Sequence, residues 1–380
     1  MKQFHKRSVC VWACHLLLLT CGVEAKEIIE DGPNGVSYDG PYDEAIINGA
    51  IHVLAQQCED GGWGWPHNEC SSSAYNITSA IVDGLFRAYE ISGLSVIKNA
   101  TILAGDFNLS STYSGTGGAK LGSQTALNLW NLSEMTGDDS YKNWVETGFY
   151  EALKTGTYGA NQDWDVDDYI SHVRNPPGPW INLRPWEFSY QALAAERYCY
   201  PNIAEQFESA ILDSLATLDN TDPNNVYTDV LGLAGGVLGL ARVNRLTFPE
   251  IFAAKHAAVN GETTLAGLAN ALVDIQNVNG SFNWHSNLAS PLIEDQDTQT
   301  TAYAILALIE AQQRLPEENF LPAIQLGKEW LLTQQDEDGG FFTNPGGSHN
   351  IEVEAEAIHA LGKVGVYDRI YRGQMECYVN

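Results

Sequence analysis

Positive charge is scarce in this chain. Its 380 residues include 20 Lys and Arg against 48 Asp and Glu, a formal net charge of −28 at pH 7. Because such a surface repels phosphate groups, the composition excludes nucleic acid as an expected partner. After residue 25 no apolar stretch approaches the roughly 18 residues that cross a bilayer. The sequence therefore predicts no membrane span.

Cysteines are few, and no two have the C-x2-C spacing typical of zinc sites. Three of the seven lie in the first 25 residues, which leaves four. An even number in an exported chain favours disulfides, with three possible pairings. We favour Cys58 with Cys70, which would clamp the loop between them, and by elimination Cys199 with Cys377. Buried free thiols are the alternative.

The N-terminus has the composition of a secretory signal peptide. Lys2, Lys6 and Arg7 precede the apolar run Val9–Thr20, and a small residue, Ala25, ends the segment. We predict a signal peptide over residues 1–25, with a secreted or periplasmic protein whose residues 26–380 form one domain. A lipid anchor at Cys21 is the alternative.

One short pattern occurs three times. A Gln is followed four residues later by Gly and six later by an aromatic: Gln57, Gly61 and Trp63; Gln276, Gly280 and Phe282; Gln335, Gly339 and Phe341. Each copy lies between two apolar segments of helical period. Gly suits the turn because it reaches positive φ without a Cβ clash. The aromatic covers the helix end, and the Gln amide satisfies backbone groups there. We call each copy a staple.

The spacing of these staples predicts stacked helical hairpins that share one core. Six hairpins account for the twelve helices expected at about 42–57, 75–93, 95–105, 123–136, 140–154, 186–199, 201–218, 228–245, 262–276, 299–313, 317–334 and 351–364.

The staples, followed by Asp297 to Leu308 with its Thr301-Ala302 pair, resemble the repeat of terpenoid cyclases and protein prenyltransferase β subunits. The resemblance implies an all-α fold, an (α/α)6 toroid in which inner helices surround a cavity. The class II cyclase motif D-x-D-D-T-A matches at Asp297, whereas Gln299 and Thr300 replace its other two acids. Gln299 also stands where the prenyltransferases have a zinc-binding thiolate.

The segment from Ala160 to Phe188 departs from the repeat. It contains a literal D-x-D-D and several charged and aromatic side chains in what we expect to be a long loop, a feature typical of functional sites. The catalytic candidates are Asp165, Asp167, Asp168, His172 and Glu187.

Three interpretations of this acidic segment stay open. Clustered carboxylates raise one another's pKa and would leave one as a general acid. Alternatively Asp163, Asp165 and Asp167 would bind Ca²⁺, the one cofactor that the sequence suggests, in an irregular site. The third is a solvated acidic loop in which Arg184 pairs with a carboxylate.

Aromatic and acidic residues near the expected entrances of inner helices are candidates for substrate binding. Aromatic faces stabilise carbocations and also stack on sugars, while packing is the competing explanation. Asp295 and Asp297 are in addition natural helix caps. The candidates are Trp63, Trp65, Trp164, Tyr169, Trp180, Arg184, Trp186, Trp284, Asp295 and Asp297.

Three functions follow as hypotheses. The first is a terpenoid-cyclase-like enzyme that uses Asp165, Asp167 or Asp168 as its proton source on a small apolar substrate. The second is a glycoside hydrolase or polysaccharide lyase, since paired carboxylates hydrolyse glycosides and Tyr169, His172 and Arg184 suit a lyase. The third is a non-catalytic toroid that binds a small molecule or an oligosaccharide.

Overall fold

A computed structural model describes residues 42–66, 70–71, 73–110, 124–159, 163–174, 182–221, 229–287 and 292–367. The predicted signal peptide, Trp180 and Cys377 lie outside these ranges, so the expectations for them stay predictions. Within the ranges the chain is helical, with single β-bridges in place of a sheet.

Outer and inner helices alternate along the chain. The outer elements are α1 (Asp43–Leu54), α3 (Ser95–Ser110), α5 (Ser140–Val145) continuing through the π-helical turn Glu146–Tyr150 into α6 (Glu151–Thr155), α9 (Pro201–Leu215), α11 (Leu265–Asp274) and α13 (Leu321–Thr333). The inner helices are α2 (Tyr75–Ser92), α4 (Thr125–Thr136), α8 (Arg184–Arg197), α10 (Asp229–Arg242), α12 (Thr298–Arg314) and α14 (Ile351–Tyr367).

The inner helices close into a ring. Each one contacts the next, and α14 packs against α2 to complete the circle. Every residue of α10 is buried, as an inner position requires. Its glycines allow close approach: a Cβ on Gly235 would lie 2.4 Å from the Cα of Trp186 on α8. The prediction of an all-α (α/α)6 toroid is confirmed.

The staples have the same geometry in all three copies. In the first, the Gln57 side-chain amide donates to the carbonyl of Gly61 (2.9 Å) and to that of Ala100 (3.0 Å), which lies in the next outer helix. Gly61 has a φ of +89°. Trp63 is fully buried, and its indole N–H donates to the Val53 carbonyl at the end of α1 (2.9 Å). The amide therefore joins neighbouring hairpins, whereas we expected it to act only at its own helix end.

The other two copies repeat these bonds. Gln276 donates to Gly280 and Ala323, both at 2.9 Å. Gln335 donates to Gly339 at 2.9 Å and to Ala45 in α1 at 2.8 Å. The last copy consequently ties the loop after α13 to α1, the first described helix.

One helix lies where we expected a loop. α7 (Val166–Arg174) packs on the outer elements α6 and α9 and buries Val166, Tyr169 and Ile170. Asp165 starts it: its carboxylate accepts from the Asp168 backbone N–H (3.0 Å), and Asp168 reaches back to the N–H of Asp165 (3.4 Å). This reciprocal pair is a capping box. The D-x-D-D pattern is thus a helix start.

The predicted bond between Cys58 and Cys70 is confirmed, with 5.5 Å between the two Cα atoms. None of the described helices has the length and apolarity that crossing a bilayer requires.

A Cβ at Gly280 tests the staple. Gly280 has a φ of +94°, and an added Cβ would lie 2.1 Å from the Leu326 carbonyl oxygen. We expect Gly280→Ala to lose about 1–2 kcal/mol of unfolding free energy to left-handed strain and about 1–3 kcal/mol more because backbone must move. Urea unfolding measures both terms together.

Gly137→Ala is the matched control, since Gly137 has a φ of +75° and open space around it. It should lose the strain term alone. Equal losses in the two variants would contradict the close approach.

Candidate active site

The mouth of the ring is the end at which the six inner helices begin, because every connection from an outer to an inner helix leads there. Two acidic side chains of α14, Glu352 and Glu356, lie four residues apart near this end. That spacing places them on one face of the helix, one turn apart.

Glu352 is the carboxyl closer to the mouth. It is partly exposed and accepts a side-chain hydrogen bond from Trp65, whose indole is 55% exposed. Glu356 lies one turn deeper and is 2% exposed. Its two oxygens accept from the Tyr303 hydroxyl and from the Gln299 amide, both at 2.8 Å.

Both carboxyls have a raised pKa, which favours their protonated forms. Burial raises the pKa of Glu352 to about 7, although the Trp65 hydrogen bond opposes this. Burial and the charge of Glu352 raise the pKa of Glu356 well above its usual range, against the hydrogen bonds from Tyr303 and Gln299. Two neighbouring carboxyls with little access to solvent cannot both ionise cheaply, so the pair keeps at least one proton near neutral pH.

A polar chain continues from this pair across the ring. Gln124 donates to the Tyr303 hydroxyl (3.1 Å), so the phenol is oriented toward Glu356. Trp186 packs edge-on against Tyr303, with ring centroids 5.3 Å apart. Gln124 also hydrogen bonds to Asp83, and burial raises the pKa of that carboxyl to about 7. Residues from α2, α8, α12 and α14 thus meet inside the ring.

A buried ion cluster lies beyond this hydrogen-bonded chain, farther from the mouth. Glu310 contacts Lys363 (3.2 Å) and Arg242 (3.6 Å). Burial would raise the pKa of Glu310, but these two cations outweigh burial and lower it. The Arg242 guanidinium also covers the Tyr190 ring at 4.9 Å. An unpaired buried charge here would be very costly, and the two cations hold the Glu310 carboxylate ionised.

The predicted acidic cluster lies elsewhere. Asp163, Asp165, Asp167 and Asp168 are exposed on and before α7, which rests on outer helices. Asp165 and Asp168 cap that helix, and in the described part of the chain the three-ligand geometry of a metal site is not met at Asp163, Asp165 and Asp167. Their roles in catalysis and Ca²⁺ binding stay predictions that this geometry does not support.

The other candidate residues of that segment include one exposed ring, His172, and one buried ring, Tyr169. His172 is exposed and stacks on Trp164, with centroids 4.6 Å apart. Tyr169 is buried, accepts from the Gln191 amide (3.1 Å) and feels the charge of Glu187. Burial, followed by the charge of Arg174, lowers the pKa of Arg184. The structure does not join this group to Glu352 and Glu356, and its predicted roles remain untested.

The remaining aromatic and acidic candidates mostly have structural contacts. Trp63 belongs to the staple. Trp284 donates to Asp295 (3.3 Å), which also accepts from the Leu292 N–H (2.6 Å). Asp297 caps α12 by accepting from the Thr300 N–H (2.7 Å), as predicted.

Of the predicted binding residues, one bonds to the acid pair and two others lie close enough to affect its surroundings. Trp65 bonds to Glu352, Trp186 touches Tyr303, and the charge of Asp297 acts on Glu356.

Sequence reasoning missed Glu352, Glu356 and Tyr303. A usable signal was present: the run I-E-V-E-A-E opens a helix that is otherwise apolar, directly after the third staple. Acidic residues at positions i and i+4 of an inner helix must face something polar.

The sequence matches no protein-family model and no curated protein. Solved structures do match over most of the chain. A heparin-specific unsaturated glucuronyl hydrolase has a TM-score of 0.57 and 12% identity over 86% of this chain and 97% of its own. A possible GH105 family member from Salmonella enterica has a TM-score of 0.54 and 13% identity over 88% and 96%. Both enzymes are α/α toroids. This chain has their fold.

A third match carries a sugar. An inactive variant of the alpha-1,6-mannanase GH76A from Salegentibacter sp. HEL1_6, in complex with alpha-1,6-mannotriose, has a TM-score of 0.55 and 11% identity over 86% of this toroid and 99% of its own chain.

These matches correct the first functional hypothesis. The toroid was predicted from a resemblance to terpenoid cyclases and prenyltransferases, and the fold is confirmed while that family is not. Two of the matches named above are a glucuronyl hydrolase and a mannanase, and the third is a possible member of a glycoside hydrolase family. The prediction of a terpenoid-cyclase-like activity is therefore wrong, and the carbohydrate alternative agrees better with the toroid.

Asp83 makes stability depend on pH. Its pKa rises from 3.8 to about 7 on folding, so the folded state binds the extra proton between these values. The stability is fully present below about pH 4 and is lost as the pH rises through 7. We expect Asp83→Asn to remove up to about 4 kcal/mol of the difference in unfolding free energy between pH 4 and pH 8.

Denaturant unfolding at both pH values measures this difference. Asp274→Asn, at an exposed position, serves as control and should keep the wild-type difference in unfolding free energy between the two pH values. An unchanged difference in the Asp83 variant would show that the carboxyl does not hold its proton.

Proposed function

We propose that this toroid is a carbohydrate-processing enzyme, a glycoside hydrolase that acts through Glu352 and Glu356. The observation that carries the proposal is the placement of two carboxyls, one turn apart, beside an exposed tryptophan at the mouth of a closed ring. The fold is shared with glycoside hydrolases, one of them in complex with a mannotriose, which supports the substrate class.

The chemistry of glycoside cleavage needs such a pair. One carboxylic acid protonates the leaving oxygen, and a second carboxylate activates water or attacks the sugar. Glu352 borders the mouth and would reach the glycosidic oxygen. Glu356 lies directly behind it, where Tyr303 and Gln299 hold both of its oxygens. The two groups thus differ in exposure and in hydrogen bonding, as different roles require.

Two aromatic side chains suit a sugar ligand. Trp65 presents more than half of its surface to solvent while it bonds to Glu352, and Trp186 lies partly exposed beside Tyr303. Both were substrate-binding candidates from the sequence. Flat apolar faces next to convergent polar groups are the usual composition of a ligand site.

Export of the protein is part of the proposal. The bond between Cys58 and Cys70 fits an oxidising compartment, where disulfides persist. Polysaccharides are found mainly outside cells, so a polysaccharide substrate also agrees with export. The signal peptide over residues 1–25 and the single domain over 26–380 remain predictions.

A substrate screen tests the function. The purified protein is incubated with alpha-1,6-mannotriose, with unsaturated glucuronyl disaccharides and with a panel of plant and fungal oligosaccharides, and products are read by mass spectrometry. On a substrate that is turned over, we expect Glu352→Gln and Glu356→Gln each to lower kcat at least about 100-fold, the usual contribution of a general acid or base.

Glu317→Gln is the matched control, because Glu317 is an exposed glutamate outside the ring interior, and it should keep wild-type kcat. Binding of oligosaccharides without any turnover would favour the non-catalytic hypothesis. Full activity in Glu352→Gln would reject the assigned residues.

A further inference from the structure

A second group of convergent side chains lies at the seam of the ring. His52 on α1, His349 after the third staple and Glu354 on α14 each offer one donor atom, and these atoms all lie within 4.8 Å of one another. We call these three residues the seam cluster. Glu354 is fully buried, whereas the two imidazoles are 24% and 27% exposed.

Both imidazoles face the Glu354 carboxylate with their Nδ1 atoms. His52 Nδ1 is 2.7 Å from Glu354 Oε2, and His349 Nδ1 is 3.1 Å from Glu354 Oε1. Ligands of a tetrahedral zinc ion, at bond lengths of about 2.0–2.2 Å, stand roughly 3–3.5 Å apart. The two nitrogen–oxygen distances are close to this range but involve different oxygens of Glu354, so binding one ion would require the carboxylate to turn one oxygen between the two imidazoles.

An outer carboxylate orients one of the imidazoles. Asp336 Oδ2 is 3.0 Å from His349 Nε2. A proton on Nε2 directs the lone pair of Nδ1 toward Glu354. This carboxylate–histidine arrangement is the usual second layer around protein-bound metals, where it sets the tautomer and raises ligand basicity.

Gly340 lets the loop backbone approach the two imidazoles closely. A Cβ on Gly340 would lie 2.5 Å from His349 Nδ1 and 2.8 Å from His52 Cε1. Phe342 packs against His349, with centroids 4.7 Å apart, and fixes the ring from the other side. Both imidazoles remain in contact with solvent.

We propose that His52, His349 and Glu354 bind a single divalent transition-metal ion of the zinc class, with water in the fourth position. Two imidazole nitrogens and one carboxylate oxygen are ligands that suit Zn²⁺ and disfavour Ca²⁺ and Mg²⁺, which take oxygen ligands. Binding displaces the protons from the two Nδ1 atoms and keeps that on His349 Nε2.

The ion would act on the closure of the ring. It would join α1, at the beginning of the described chain, to α14 and to the loop before it, across the same seam as the Gln335 staple. Glu354 lies two residues from both Glu352 and Glu356, so helical periodicity turns it to a different face of α14. The metal site is therefore distinct from the carbohydrate site and does not depend on the proposed function.

The competing explanation is a metal-free network in which a protonated His349 bridges Glu354 and Asp336. Zinc titration separates the two. Untagged protein is treated with EDTA, dialysed and titrated with zinc chloride in a calorimeter, and thermal unfolding is followed with and without zinc. We expect one ion per chain and a midpoint that rises with zinc, because the ion binds the folded state.

Variants assign the ligands. His349→Ala and Glu354→Gln should weaken zinc binding at least 100-fold, and Asp336→Asn about 10- to 100-fold, the range for an outer-layer partner. His172→Ala removes an exposed histidine on α7 and should leave affinity unchanged. Circular dichroism checks folding. If Glu354→Gln fails to fold because Glu354 is buried, the Asp336 variant still tests the proposal, since Asp336 is 25% exposed.

Two results would overturn the proposal. One is wild-type protein that binds no zinc at a stoichiometry of one and shows no zinc-dependent midpoint, as the metal-free network predicts. The other is zinc binding that His349→Ala and Asp336→Asn leave intact, which would place the ion elsewhere.

Discussion

The side-chain amide of each staple glutamine donates hydrogen bonds to two backbone carbonyls, and the ring depends on this pair of hydrogen bonds. One carbonyl belongs to its own loop and the other to the next outer helix, so a local turn also sets the position of a neighbour. Gln335 makes the same pair of bonds to Gly339 and Ala45. A motif that spans seven residues thereby joins neighbouring hairpins, and its last copy joins the loop after α13 to α1.

Closure explains why so many polar groups are buried in the interior. Once α14 lies against α2, Asp83, Tyr303 and Glu356 come from three helices and join Gln124, the residue before α4, in one hydrogen-bonded chain. In an open superhelix they would face water separately. Their perturbed pKa values follow from this shared burial, because each carboxyl loses solvent while it gains only a few partners. Perturbed pKa values of this kind cluster at functional sites.

The acidic segment before α8 shows how composition misleads. Three aspartates in four residues suggested a proton source or a calcium site, yet two of them form the capping box of α7. Spacing alone does not separate these cases, because a cap, a metal ligand and an acid all require an oxygen near backbone N–H groups. The resemblance to terpenoid cyclases misled in a related way: a repeat that builds a toroid describes the scaffold, whereas chemistry lies in the side chains that line it.

The sequence by itself determined the helical hairpins, the staples, the cap at Asp297 and the bond between Cys58 and Cys70, because each follows from contacts within a few residues or from a spacing that repeats. It also proposed six tryptophans for the mouth, and two of them, Trp65 and Trp186, contact Glu352 and Tyr303. Only the tertiary structure decided which way α14 is turned. Glu352, Glu354 and Glu356 alternate along one helix, and periodicity alone assigns them to two faces. Packing against α2, α12 and α13 then directs one face to the ring interior and the other to His52 and His349.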